Sequence, residues 1–253
     1  MKKTAYLISL CAAVLLCACS SGQGSESEYF SAERALESST ESTGVSDNKE
    51  QTPQVWKTFD EIYPTLTDDD MKVKNYANNR EVWDNSARAG KLIEAGQDTP
   101  PQNELRLGNY RFGYNGCEVI AGYNMLTLAG KSPDMPKLIF EFEENILVAK
   151  DGSFGSDPRK MYLMLDKAGA EYETLYTRAE CDKALDDGKS LIFSFYTGTP
   201  YFSEIHTVCI IGGREKYVLN RYNTVSGRSE ISGIDDITDD DRNVIIAYAV
   251  DID

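Results

Sequence analysis

Asn115-Gly116-Cys117-Glu118-Val119-Ile120-Ala121-Gly122-Tyr123-Asn124-Met125-Leu126 is the stretch on which the reading of this chain turns. A cysteine follows a glycine, and Val119, Ile120, Tyr123 and Leu126 then recur at helical spacing on one face. Gly130 supplies a stop. The spacing predicts a helix that opens at Cys117. There the main-chain N–H groups lack helical partners, and the positive end of the helix dipole favours thiolate. The chain's single histidine, His206, opens an apolar, strand-like run, Thr207-Val208-Cys209-Ile210-Ile211. One imidazole is the usual base for such a nucleophile.

Working outward, residues 1–18 read as an export signal. Lys2 and Lys3 are its charged start, and the apolar run from Ala5 to Leu16 is short for a membrane span. It ends in Leu16-Cys17-Ala18-Cys19, which resembles a bacterial lipobox with small Ala18 before Cys19. Cys19 is therefore the expected lipidation site, and bulky Leu16 makes Cys17 the poorer choice. Residues 19–54, rich in Ser, Glu, Gly, Thr and Asn, bury too little apolar surface to fold and read as a disordered tether. Residues 55–253 are the length of one domain. These features place the domain outside the cytoplasm, anchored to the bacterial membrane through lipid.

A formal net charge of -15 argues against nucleic acid as a partner, since no basic stripe is present to meet phosphates. The acidic runs Asp68-Asp69-Asp70 and Asp235 to Asp241 read as solvated surface, since Asp239-Asp240-Asp241 lacks the alternating spacing and glycine of a calcium loop. Beyond the signal and the lipid site, only Cys117, Cys181 and Cys209 remain. Their number is odd, so at least one thiol stays free within a single chain. One histidine and scattered cysteines argue against zinc, and neither metal nor cofactor is expected. Cys209 reads as core, and Cys181 has no evident role.

Helices come first. They are expected over one or two segments from Thr67 to about Ile93, with Thr67 as cap, and from Ser132-Pro133 to about Asn145. Another runs from Asp157-Pro158 to Gly169, and one starts behind the capping box Thr177-Arg178-Ala179-Glu180. Strands follow at 191–196, 207–211, 217–222, 229–231 and 244–250. Helices then strands imply an α+β domain with an antiparallel sheet on the helical part. Cys117 on a helix and His206 on a strand then define a cleft between two layers. Asn220 follows on the next strand, where a hairpin brings it beside the imidazole to fix its tautomer.

The order of Cys117, Gly188-Lys189-Ser190-Leu191-Ile192, His206-Thr207-Val208-Cys209-Ile210-Ile211-Gly212 and Tyr217-Val218-Leu219-Asn220 resembles papain-like cysteine peptidases. More narrowly, it resembles the branch related to bacteriocin-processing leader peptidases (peptidase C39-like). The likeness covers roughly Leu105 to Tyr222. It implies a papain-like fold with Cys117 as nucleophile, His206 as base and later acid, and Asn220 as orienting residue. Asn223 is the fallback, and Arg221 is the alternative occupant of the position where relatives carry aspartate. The family places a glutamine about six residues before the cysteine as oxyanion donor. Here Arg111 stands there, which leaves Asn115 or Asn109 to serve beside the Cys117 N–H. Glu118 follows the nucleophile where relatives carry a small or aromatic residue. Thr199-Pro200-Tyr201-Phe202-Ser203 reads as an aromatic loop, either at the cleft rim or packed on the sheet. The implied function is a membrane-tethered extracytoplasmic cysteine peptidase, an amide hydrolase acting on a peptide or protein substrate. The alternative is a catalytically weak or inactive papain-like surface lipoprotein that binds peptide or cell-wall fragments.

Overall fold

The computed structural model describes residues 54–252 except 87, 89, 202 and 224–226. The signal, Cys19, the tether up to residue 53, and Phe202 of the aromatic loop lie outside the described residues.

Helix α4 (Cys117–Leu128) organises the first half, and it differs from a one-faced helix. Every residue from Cys117 to Leu126 is buried, Glu118 and Asn124 included. An apolar helix with no solvent face belongs inside a domain. Its neighbours are α2 (Met71–Asp84) and α5 (Met135–Asn145), preceded by the single turn α1 (Phe59–Ile62). Helix α2 is capped by Asp70, whose side chain accepts from Lys72 N at 2.9 Å, and it ends at Asp84, well short of Ile93. The acidic run therefore sits ahead of the helix, and Thr67 is not its cap. Helix α5 is capped by Asp134, with Pro136 in the first turn, where its missing N–H costs nothing. A 3₁₀ turn (Pro158–Lys160) leads into α6 (Tyr162–Ala168), closed by Gly169 at φ 64°. The Thr177–Glu180 capping box is present at the start of α7 (Arg178–Asp186).

A small hairpin, β1 (Arg106–Leu107) and β2 (Tyr110–Arg111), precedes the short helix α3 (Phe112–Asn115). The main sheet is built of β3 (Tyr172–Leu175), β4 (Ser190–Tyr196), β5 (Ile205–Ile211), β6 (Lys216–Leu219), β7 (Ser229–Ile231) and β8 (Val244–Val250). Its order is β3-β8-β4-β5-β6-β7, antiparallel throughout. The domain is thus α+β with an antiparallel sheet.

Both faces of the sheet centre are covered, so β4 and β5 are buried along nearly their whole length. Ile192, Ile205, Cys209, Leu219 and Tyr248 join the core shared with α4, α5 and α6. Leu191, Phe193, Phe195, Val208 and Ile210 join a second core with Cys181, Ala184 and Leu185 of α7. Cys209 is core, and so is Cys181.

The start of the domain is pinned to α5. Trp56 Nε1 and Phe59 N donate to the two carboxylate oxygens of Glu141, at 2.9 and 2.8 Å. Two residues on, buried Glu143 accepts from Asn75 Nδ2 (2.6 Å) and Gly108 N (2.7 Å), both at Oε1, which joins α5 to α2 and to the β1–β2 turn. Burial pushes its carboxyl up to about 8, against those two hydrogen bonds and the charge of Lys72. A proton on Oε2 leaves Oε1 free to accept both bonds. Between the ordinary carboxylate value and about 8, the folded state holds a proton that the unfolded state has released. Stability therefore falls as pH rises through that window, by at most about 1.4 kcal/mol per pH unit. Urea unfolding from pH 4.5 to 8 is expected to show this slope, and Glu143→Gln to flatten it. A Glu143→Gln profile as steep as wild type would contradict it.

Candidate active site

Helix α4 opens directly behind α3, with Gly116 closing one helix and starting the other. Gly116 N donates to Phe112 O (2.9 Å), and Gly116 O accepts from Ile120 N (3.1 Å). A Cβ on Gly116 would lie 2.5 Å from the Phe112 ring, so only glycine lets that ring pack against the start of α4. Cys117 occupies the first helical position and is fully buried. Its Sγ donates to Glu118 Oε2 at 3.1 Å. The other carboxylate oxygen of Glu118 accepts from Thr207 Oγ1 at 3.5 Å, and Thr207 Oγ1 lies 2.9 Å from Ser194 Oγ. The residue after His206 is thus the sheet's contact with the residue after Cys117.

His206 is the second residue of β5, not the first, and is 5% exposed. It pairs in register with Phe195, whose ring it meets edge-on at 5.9 Å between centroids. Its Nε2 lies 3.0 Å from the main-chain oxygen of Asn220. A carbonyl can only accept, so Nε2 donates to it and carries a proton. Asn220 therefore meets the imidazole, but through its backbone. Strand β6 ends at Leu219, and Asn220 turns the chain at φ 49°, in the left-handed region that asparagine tolerates. Its side chain is committed elsewhere. Nδ2 donates to Thr207 O (3.0 Å) and Oδ1 accepts from Cys209 N (3.4 Å), fastening the β6 end to β5.

The two suggested oxyanion donors sit differently. Asn115 Nδ2 donates to Gly152 O (2.8 Å) and Leu107 O (3.4 Å), so its amide braces the loops beneath α3. Its buried Oδ1 has no hydrogen-bond partner among the described residues. Asn109 lies exposed on the β1–β2 turn, its N–H donating to Asp151 O (2.7 Å). Arg111 is exposed as well. Asn223 is engaged through its main-chain oxygen, which accepts from Asp98 N (2.8 Å).

That last bond belongs to an irregular segment, residues 93–98, that sequence reasoning passed over. Asn124, in the middle of α4, grips Ile93 with both amide atoms (Ile93 N to Oδ1 2.7 Å, Nδ2 to Ile93 O 2.9 Å). Further along, Glu94 O accepts from Asn220 N at 3.3 Å. The segment therefore ties the cysteine helix to Asn220, whose carbonyl meets the His206 ring. Asn124 is a buried clamp. Tyr123 is likewise buried, with its hydroxyl accepting from Gly90 N (3.2 Å) and its ring edge-on to Trp83. Two polar residues, Glu118 and Asn124, inside an otherwise apolar helix were the signal that this helix has buried polar work. Gln97, on the same segment, is buried. Its Nε2 donates to Gly113 O (3.0 Å), and its Oε1 has no partner among the described residues.

Among the described residues, Cys117, Cys181 and Cys209 are buried and form no disulfide. Burial raises the thiols of Cys181, to about 12, and Cys209. Neither touches a base, so at neutral pH both are inert. Iodoacetamide treatment of the folded protein, read by peptide mass spectrometry, is expected to modify Cys117 and spare the other two. Modification of all three at one rate would mean that labelling reports only unfolding.

No family model matches the chain, and no curated protein matches it.

Proposed function

We propose that this chain is a papain-like cysteine peptidase, an amide hydrolase held outside the bacterial membrane by a lipid on Cys19. Cys117 is the nucleophile. His206 takes its proton through Nδ1 and later returns it to the leaving amine, and the Asn220 carbonyl holds the ring in that tautomer. The Cys117 N–H at the start of α4 is one oxyanion donor. The observation that carries the reading is the 3.0 Å contact from His206 Nε2 to Asn220 O, because a main-chain carbonyl there holds the ring through a protonated Nε2. Peptide-library digestion is expected to show cleavage that disappears in Cys117→Ala and falls about 10²–10⁴-fold in His206→Ala, the contribution of a general base.

A second reading is a lipoprotein that keeps the fold to bind peptide or cell-wall fragments without turnover. It is favoured by the complete burial of Cys117 and by the carboxylate 3.1 Å from its sulfur, which opposes a second negative charge. Saturable peptide binding retained in Cys117→Ala, with no cleavage by wild type, would select it over the peptidase.

A further inference from the structure

A buried polar chain crosses the apolar layer between the sheet and α4: Ser194 Oγ, Thr207 Oγ1, the Glu118 carboxylate and Cys117 Sγ, at successive separations of 2.9, 3.5 and 3.1 Å. All four residues are 0% exposed. A carboxylate in such a place is costly unless hydrogen bonds and favourable charge surround it. Here the first turn of α4 supplies the positive end of the dipole, and Thr207 supplies an O–H aligned by Ser194. Cys117 on α4 belongs to this polar chain, and on β5 Cys209 shares the face of Thr207 while His206, next to Thr207 in sequence, alternates to the face of Phe195.

We propose that Glu118, anchored by Ser194 and Thr207, is a positioning residue that retains the Cys117 proton at rest and so keeps the nucleophile latent. The inference rests on reading Cys117 as the nucleophile. In the resting pair the S–H bond is intact and donates to Oε2. If the proton crosses, S–H breaks, O–H forms, the electron pair stays on sulfur, and the pair still carries one negative charge. Loss of that shared proton would leave two charges 3.1 Å apart in a site without solvent exposure. Like charges so close do not ionise together, and the two groups titrate as a unit.

The test is the pH dependence of Cys117 alkylation by iodoacetamide in the full-length protein. Glu118→Gln keeps the volume and an acceptor for Thr207 while removing the charge. Its rate–pH midpoint is expected to fall by about one unit, the size of effect a close like charge produces. The rate at pH 7 should rise only several-fold, because a more acidic thiolate is intrinsically less nucleophilic. Thr207→Val removes the donor that favours ionised Glu118, and is expected to move the midpoint the same way by less. A midpoint that stays or rises in Glu118→Gln overturns the proposal. So does a uniform change of rate at every pH, which is the mark of altered packing alone. If Glu118→Gln does not fold, Thr207→Val decides by the same criterion. A moved midpoint together with no peptide cleavage by wild type would leave the Glu118 control standing and remove the peptidase reading. An unmoved midpoint with cleavage lost in His206→Ala would do the reverse.

Discussion

Gly96→Ala is expected to be among the most destabilising single substitutions in the domain. A Cβ there would lie 1.9 Å from Tyr222 O and 2.4 Å from the Asn223 carbonyl. Both obstacles are main chain, so no side chain can swing aside and the two segments must separate. The bonds Asp98 N to Asn223 O and Asn220 N to Glu94 O go with them. The loss should reach about 3 kcal/mol or more, the upper end for overpacking. For a domain of this length that lowers Tm by roughly 10 °C. Peptide cleavage should fall too, because the displaced stretch carries the carbonyl that holds His206. Gly113→Ala is the internal comparison. Its Cβ would meet Asp98 Oδ1 at 2.7 Å, the end of a side chain that can rotate, so a loss below about 1 kcal/mol is expected. Equal losses at the two glycines, measured by thermal unfolding, would show that the 93–98 segment is not locked against residues 220–223.

Asn220→Gly separates the two jobs that Asn220 performs. Glycine adopts φ 49° without strain and keeps the carbonyl that faces His206 Nε2. It loses the amide that bonds Thr207 O and Cys209 N. Two buried hydrogen bonds are expected to cost about 2–3 kcal/mol in urea unfolding. The rate of peptide cleavage should change little, because the carbonyl that meets His206 remains. Were the side chain the orienting group, the substitution would depress the rate while leaving stability nearly intact.

The elements with strong local signals were legible. The Thr177–Glu180 capping box, the cysteine helix opening at 117, and the strands at 229–231 and 244–250 stand where propensity and pattern put them. What escaped was set by tertiary contact. Strand β3 is only four residues long, with Glu173 and Thr174 exposed, and it is fixed by pairing with β8, which comes from the far end of the chain. Residues 93–98 have no period to read, since their order comes from Asn124 on one side and residues 220–223 on the other. In the site, residue types were informative while atoms were not. Sequence could nominate Asn220 but could not foresee a left-handed turn that presents its carbonyl and diverts its amide to β5. It likewise nominated Asn115, whose amide instead holds Gly152 and Leu107.

The central claim is that the Cys117 thiol is activated by the His206 imidazole. It is tested most directly by the rate at which an epoxide or iodoacetamide probe modifies Cys117 in wild type and in His206→Ala at pH 7, with folding of both verified. A probe rate at least tenfold lower in His206→Ala, with labelling confined to Cys117, is the result predicted for an imidazole-activated thiol. Equal rates in the two proteins would contradict the account and leave Cys117 a buried thiol that happens to open a helix.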